Sequence, residues 1–87
     1  MKTFESLFAE IQTKASSQAV ESNTRNLLEQ GVHAIGKKVV EEAAEVWMAA
    51  QYQSKEDLAL EISQLIYHLQ VLMVAKDLSI ADLEERF

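Results

Sequence analysis

The chain has no cysteine and no proline, only two glycines, and eight basic residues against fourteen acidic ones in 87 positions. Each shortage removes a class of answer. Without cysteine there is no disulfide framework, no thiolate nucleophile and no sulfur-ligated zinc. With no proline and with glycine only at Gly31 and Gly36, the turn chemistry of an all-β fold is missing, and an all-α protein is expected. The formal net charge of −6 leaves no basic face to neutralise nucleic-acid phosphates, so no nucleic acid is expected as a partner. It disfavours a membrane surface for the same reason. No unbroken apolar run has the length of a membrane span, and Met1-Lys2-Thr3-Phe4-Glu5 does not open an apolar stretch of signal type. The expected location is cytoplasmic.

What the chain has in plenty is apolar side chain, 48% of its residues. A single domain over residues 1–87 buries only about 60–65% of its unfolded surface. The surplus predicts a second surface to cover, hence a homodimer or larger assembly.

Helical spacing organises the sequence. Phe4, Leu7, Phe8 and Ile11 predict an amphipathic helix over residues 3–15, followed by a polar loop over 16–21. Ser22 suits the N-cap of a short helix carrying Leu27 and Leu28 and closing near Gly31. A longer helix is expected from Val32 to about Tyr52. Ser54-Lys55-Glu56-Asp57 then resembles a capping signal and should start a helix lasting to about Lys76. Ser79-Ile80-Ala81-Asp82 repeats that signal before a final short helix. So few residues join the two central helices that they should be antiparallel neighbours. There is no repeat, linker or low-complexity segment.

The acids are oddly placed. At about 100° per residue, Val32, Ile35, Val39 and Val46 share a narrow sector of one helix wheel, with Glu42 at its edge and Glu45 one step further round. On the next wheel Glu61 sits close to Leu58, Leu65, Leu69 and Leu72, with Gln64 and His68 at its flank. An ionised carboxylate on a core-facing stripe is costly unless it is paired or holds a metal. Glu41 points furthest from the apolar sector and suits an ordinary solvated face. Pairing with Lys38 would account for one acid and leave Glu61 unexplained. Helices packed by these stripes bring Glu42, Glu45 and Glu61 together, and such a set of oxygen ligands suits Mg²⁺, which keeps places for water and substrate phosphate. A di-iron bundle would need Glu-x-x-His pairs, and none occurs.

The remaining polar and aromatic residues fit plainer roles. His68 reads as a packed or hydrogen-bonded histidine, and Trp47 and Tyr67 as core or dimer contacts. Lys37 and Lys38, one turn before the acids, suit either ion pairs with Glu41 or Glu42 or contacts to phosphate oxygens. There is no Ser-His-Asp triad, P-loop or dinucleotide fingerprint. Chemistry is therefore expected through metal-activated water and not a covalent intermediate.

Glu42-x-x-Glu45 and the later Glu61-x-x-Gln64 resemble the four-acid signature of the MazG-like all-α nucleotide pyrophosphohydrolases. The closer resemblance is to the phosphoribosyl-ATP pyrophosphohydrolases of histidine biosynthesis. It rests on Ser22-Asn23-Thr24, Leu27-Leu28, Gly31, the run from Lys37-Lys38-Val39-Val40 through Glu41-Glu42-Ala43-Ala44-Glu45-Val46, and Leu65-Ile66-Tyr67-His68-Leu69. Together these span roughly residues 20–75. The resemblance implies a MazG-like helical bundle and Mg²⁺-dependent hydrolysis of phosphoribosyl-ATP, between its α and β phosphates, to phosphoribosyl-AMP and pyrophosphate. It implies metal ligation by Glu42, Glu45, Glu61 and Gln64, with Glu41 as a ligand or a water-orienting base. Lys38, Lys37, Ser22 and Thr24 would touch substrate phosphates, and a separate phosphoribosyl-AMP cyclohydrolase would take the product. Three positions depart from the family pattern: Gln64 stands where aspartate is usual, Asn23 where tyrosine is common and Val40 where glycine is common. An amide keeps a carbonyl oxygen for a cation but removes a charge. Two alternatives remain open at this level, a MazG-like house-cleaning enzyme acting on nucleoside triphosphates and a non-catalytic helical dimerisation module.

Overall fold

The computed structural model describes residues 1–17 and 22–87, so most of the polar loop expected at 16–21 lies outside the described residues. Five helices follow in order: α1 Phe4–Ser16, α2 Asn23–Gln30, α3 Val32–Tyr52, α4 Lys55–Ala75 and α5 Ile80–Glu84. The described residues contain no strand, and the fold is the expected all-α bundle around two long packed helices.

Local chemistry sets the helix ends. The hydroxyls of Thr3, Ser22, Ser54 and Ser79 accept from the backbone N–H three residues on, satisfying donors that a first turn leaves open. Asp82 completes a reciprocal capping box with Ser79. Gly31 ends α2 and starts α3 with φ +98°, a conformation that side-chain-bearing residues rarely adopt. Space is not the reason, since nothing lies within 4 Å of where a Cβ would stand. After α4, Asp77 takes a left-handed φ of 57°. The N–H of Leu78 then reaches back to the Met73 carbonyl at 2.8 Å, closing a Schellman-type stop.

The long helices α3 and α4, joined only by Gln53 and Ser54, form the most extensive packing in the molecule, while α1 and α2 cover one end of the pair. The core lies under that cover: Ile11, Leu27, Ile35 and Val71 are buried together, with Leu7, Leu28, Tyr67 and Leu72 packed on them. Gln70 is fully buried beside them, and its Nε2 donates to the Phe4 carbonyl at 3.0 Å, tying α1 to α4.

One outcome differs from the periodicity: Val32, assigned to the apolar sector, is 47% exposed. Trp47, read as a core or dimer contact, is 68% exposed and so is no part of this core. The two share an outward face of α3 with Val40, so α3 carries two apolar faces of which the monomer buries one. Helix α4, with a mean hydropathy of 1.4 over 18 residues, is long and apolar enough to cross a membrane by length and composition, although its apolar run is broken. In the fold it packs against α1, α2 and α3.

Candidate active site

Residues one helical turn apart project side by side, so α3 presents Glu42 and Glu45 as neighbours. Antiparallel packing sets Glu61, in the second turn of α4, opposite them. A carboxylate oxygen from each of the three lies within 4.8 Å of the others. Glu42 and Glu61 are half-buried and Glu45 is exposed. Glu42 Oε2 and Glu61 Oε2 are buried with no hydrogen-bond partner. An acceptor withdrawn from water and left unpaired costs free energy, and three converging acids add mutual repulsion. The Glu61 carboxyl is accordingly held above the ordinary carboxylate range. The cause is first a hydrogen bond with the Glu45 carboxyl, then loss of water, then the charges of Glu45, Glu42 and Asp57. A divalent cation would satisfy both orphaned oxygens and cancel the repulsion. The residues fit such an ion, and the donor set, all oxygen, matches a hard metal.

The other sequence-nominated residues line grooves or make contacts of their own. Gln64, exposed, lines a groove of about 680 Å³ that it shares with Lys2, Phe4, Asn23 and Tyr67. Glu41 stands outside the three-acid group and pairs with Lys38, Nζ to Oε2 at 3.5 Å. Lys37 lines a separate groove with Lys38 and Glu41. Ser22 spends its hydroxyl capping α2. Thr24 is 2% exposed, and its hydroxyl lies 2.6 Å from the Tyr67 hydroxyl on α4. His68 is buried, its ring Nδ1 2.8 Å from the Gln64 carbonyl. A carbonyl can only accept, so Nδ1 carries the proton. His68 is thus the packed, hydrogen-bonded histidine that its apolar neighbours suggest.

Sequence reasoning missed the contacts that hold α2 to α4. Tyr67 takes the Thr24 hydroxyl and also accepts from Asn23 Nδ2 at 3.4 Å. No local pattern signals a partner more than forty residues away. His33, beside Lys37 in the basic groove, also escaped notice, though their spacing of four was the available sign.

The sequence profile of phosphoribosyl-ATP pyrophosphohydrolase matches residues 1–87, the whole chain. Among similar proteins, the phosphoribosyl-ATP pyrophosphatase of Streptomyces coelicolor is 61% identical over 82 residues, covering 93% of this chain and 91% of that protein. The phosphoribosyl-ATP pyrophosphatase of Salinibacter ruber is 55% identical over 85 residues, covering 98% of each. A match over the full length, with relatives this close, places the chain in the phosphoribosyl-ATP pyrophosphohydrolase family.

Proposed function

We propose that the cluster of Glu42, Glu45 and Glu61 is the catalytic centre at which this enzyme cleaves phosphoribosyl-ATP. The activity follows from family membership: the relatives carry the name phosphoribosyl-ATP pyrophosphatase, and the chain is a hydrolase of a phosphoanhydride. Water attacks the α–β linkage, the anhydride bond breaks, and the products are phosphoribosyl-AMP and pyrophosphate. The observation that carries the site assignment is the pair of buried, unpartnered carboxylate oxygens within a three-acid group.

In this proposal Glu42, Glu45 and Glu61 hold Mg²⁺, with the Gln64 carbonyl oxygen reaching the ion or its water. Mg²⁺ bound there supplies the positive charge that an acidic protein needs to accept a polyphosphate, and it acidifies water. Glu41, its carboxylate steadied by Lys38, orients the attacking water and takes its proton. The Lys38–Glu41 pair is half-exposed on both sides and therefore weak, which leaves the ammonium free to turn to a substrate phosphate. Ser22 and Thr24 act by fixing the start of α2 beside α4. The enzyme works in the cytoplasm as a homodimer, without nucleic acid or membrane. Its product passes to a separate cyclohydrolase. The exposed stripe of Val32, Val40 and Trp47 supports the dimer, since a monomer leaves it in water.

A pyrophosphate-release assay with phosphoribosyl-ATP, with and without Mg²⁺ and beside ATP and a dNTP panel, tests this. Mg²⁺-dependent turnover of phosphoribosyl-ATP is expected, with Glu42→Gln and Glu61→Gln losing most of it while the helical CD signal stays. Full activity in both variants would sink the site assignment, and preference for dNTPs would move the enzyme to the house-cleaning branch.

A further inference from the structure

Phosphoribosyl-ATP differs from ATP by a second ribose carrying its own phosphate monoester, and the acid cluster offers nothing to that end of the molecule. A second groove does. It has a volume of about 370 Å³, lies between the end of α2 and the first turns of α3, and is lined by Leu27, Gln30, His33, Lys37, Lys38 and Glu41. The Lys38–Glu41 ion pair, at 3.5 Å, balances one cation against the groove's one acid. His33 and Lys37 remain, and neither makes an ion pair or hydrogen bond among the described residues. They stand four residues apart, one helical turn, on the same side of α3. In a chain of net charge −6, two unmatched nitrogen donors facing one groove mark a place where an anion is favoured. The first turn of α3 contains no acid to compete with it.

We infer that His33 and Lys37 bind the monoester of the substrate's phosphoribosyl arm. This rests on phosphoribosyl-ATP being the substrate. Lys37 brings three ammonium donors and His33 a ring N–H in either protonation state, and hydrogen bonds from charged donors to phosphate are the strong ones. Placement along the helix agrees. His33 and Lys37 precede Glu42 and Glu45 by five to twelve residues, about 8 to 18 Å along the axis at 1.5 Å per residue. The substrate presents its two phosphate-bearing ends across one nucleoside, so two sites separated along α3 let it lie lengthwise. Lys38 stands between them and touches the polyphosphate side. ATP and dNTPs have no group to fill the second groove, which makes the groove a determinant of selectivity and not of the chemical step.

The test compares phosphoribosyl-ATP with ribosyl-ATP, the same molecule lacking the monoester, in the unaltered enzyme and in His33→Ala and Lys37→Ala. Both side chains are exposed, so folding should survive, and CD checks it. Loss of a charge-assisted hydrogen bond predicts a fall of about 10- to 100-fold in kcat/KM for phosphoribosyl-ATP. The fall should appear in KM with kcat kept, while ribosyl-ATP is turned over as before. Equal losses on both substrates, or variants that keep the full preference for phosphoribosyl-ATP, would overturn the assignment alone. No turnover of phosphoribosyl-ATP by the unaltered enzyme would overturn the substrate and this assignment together.

Discussion

Thr24 and Tyr67 allow a sharp separation between a residue that touches substrate and one that holds the site's scaffold. Family resemblance places Thr24 among phosphate-binding residues, yet the residue is 2% exposed and its hydroxyl lies 2.6 Å from the Tyr67 hydroxyl. An O–H···O bond of that length is well formed. Tyr67→Phe removes the partner and leaves a buried hydroxyl unsatisfied, which should cost about 1–3 kcal/mol. Thr24→Val removes the hydroxyl and its desolvation together, so about 1 kcal/mol is expected. Once Thr24→Val is made, Tyr67→Phe has only the long bond from Asn23 left to break. The double variant should therefore fall short of additivity by about 1 kcal/mol, within the range for residues in direct contact. Urea unfolding at fixed protein concentration measures the cycle, and a shift of about 4–8 °C in Tm per kcal/mol gives a second readout for a domain of this size. On the structural account, KM for phosphoribosyl-ATP in Thr24→Val changes no more than the lost helix anchoring explains, and Tyr67→Phe matches it. Additive stabilities, or a KM rise in Thr24→Val that Tyr67→Phe does not share, would refute the scaffold role and return Thr24 to the substrate.

Three further outcomes follow from the same geometry. Because Glu61 titrates above the ordinary carboxylate range when folded, the folded metal-free protein holds its proton where the unfolded chain has released it. That contribution to stability is complete below the unfolded pKa and is lost as pH rises through the folded one. Metal-free unfolding curves from pH 4 upward should show this decline in the unaltered protein and a weaker one in Glu61→Gln; identical slopes would refute it. Trp47→Glu puts a charge on the exposed stripe of Val32, Val40 and Trp47 and should shift a dimer to monomer by light scattering. Gln64→Asp restores an acid beside Glu61, and its divalent-ion affinity should rise by about tenfold, the lower end of what neighbouring groups contribute. Unchanged affinity by calorimetry would place Gln64 outside the ion's surroundings.

How much of this was legible in the sequence depends on the range of the interaction concerned. The caps at Ser22, Ser54 and Ser79 were readable because a capping hydroxyl reaches only three residues along the chain. The acid cluster was readable because it needs only helical phase and a tight hairpin between α3 and α4. Trp47 and Val32 were not resolvable, because periodicity marks an apolar face without saying whether the same chain or a second copy covers it. Phe4, on the predicted stripe of α1, is 39% exposed because that stripe reaches past the end of the core. Gln70 was invisible as a buried residue, since its burial depends on the Phe4 carbonyl some sixty residues earlier. Thr24 was nominated by a motif alone, and no local pattern told of the Tyr67 hydroxyl that its own hydroxyl meets.

The acid cluster also has a place along the hairpin, and that place has a consequence. Ile35 and Val71 are buried at the end of the α3–α4 pair that α1 and α2 cover, whereas residues 50–57, around the connection, are all exposed. Glu42, Glu45 and Glu61 lie between those two regimes. Repulsion among them, and the unpaired oxygens of Glu42 and Glu61, therefore act where Ala49 is the one buried residue between the acids and the connection, while the core end stays closed. Local opening draws on regions of low packing, so in metal-free protein the hairpin tip should open below the global unfolding free energy. A divalent ion bound to the acids removes the repulsion and joins α3 to α4 at that point. Hydrogen exchange should then slow for amides around 42–61 on adding Mg²⁺, with little change around 65–73 beyond the rise in global stability that any ligand brings. A matched rise in monovalent salt should do much less, since screening weakens repulsion but joins nothing. Protection spread evenly over both ends, or reproduced by the salt control, would mean that the acids neither destabilise the tip nor hold the ion.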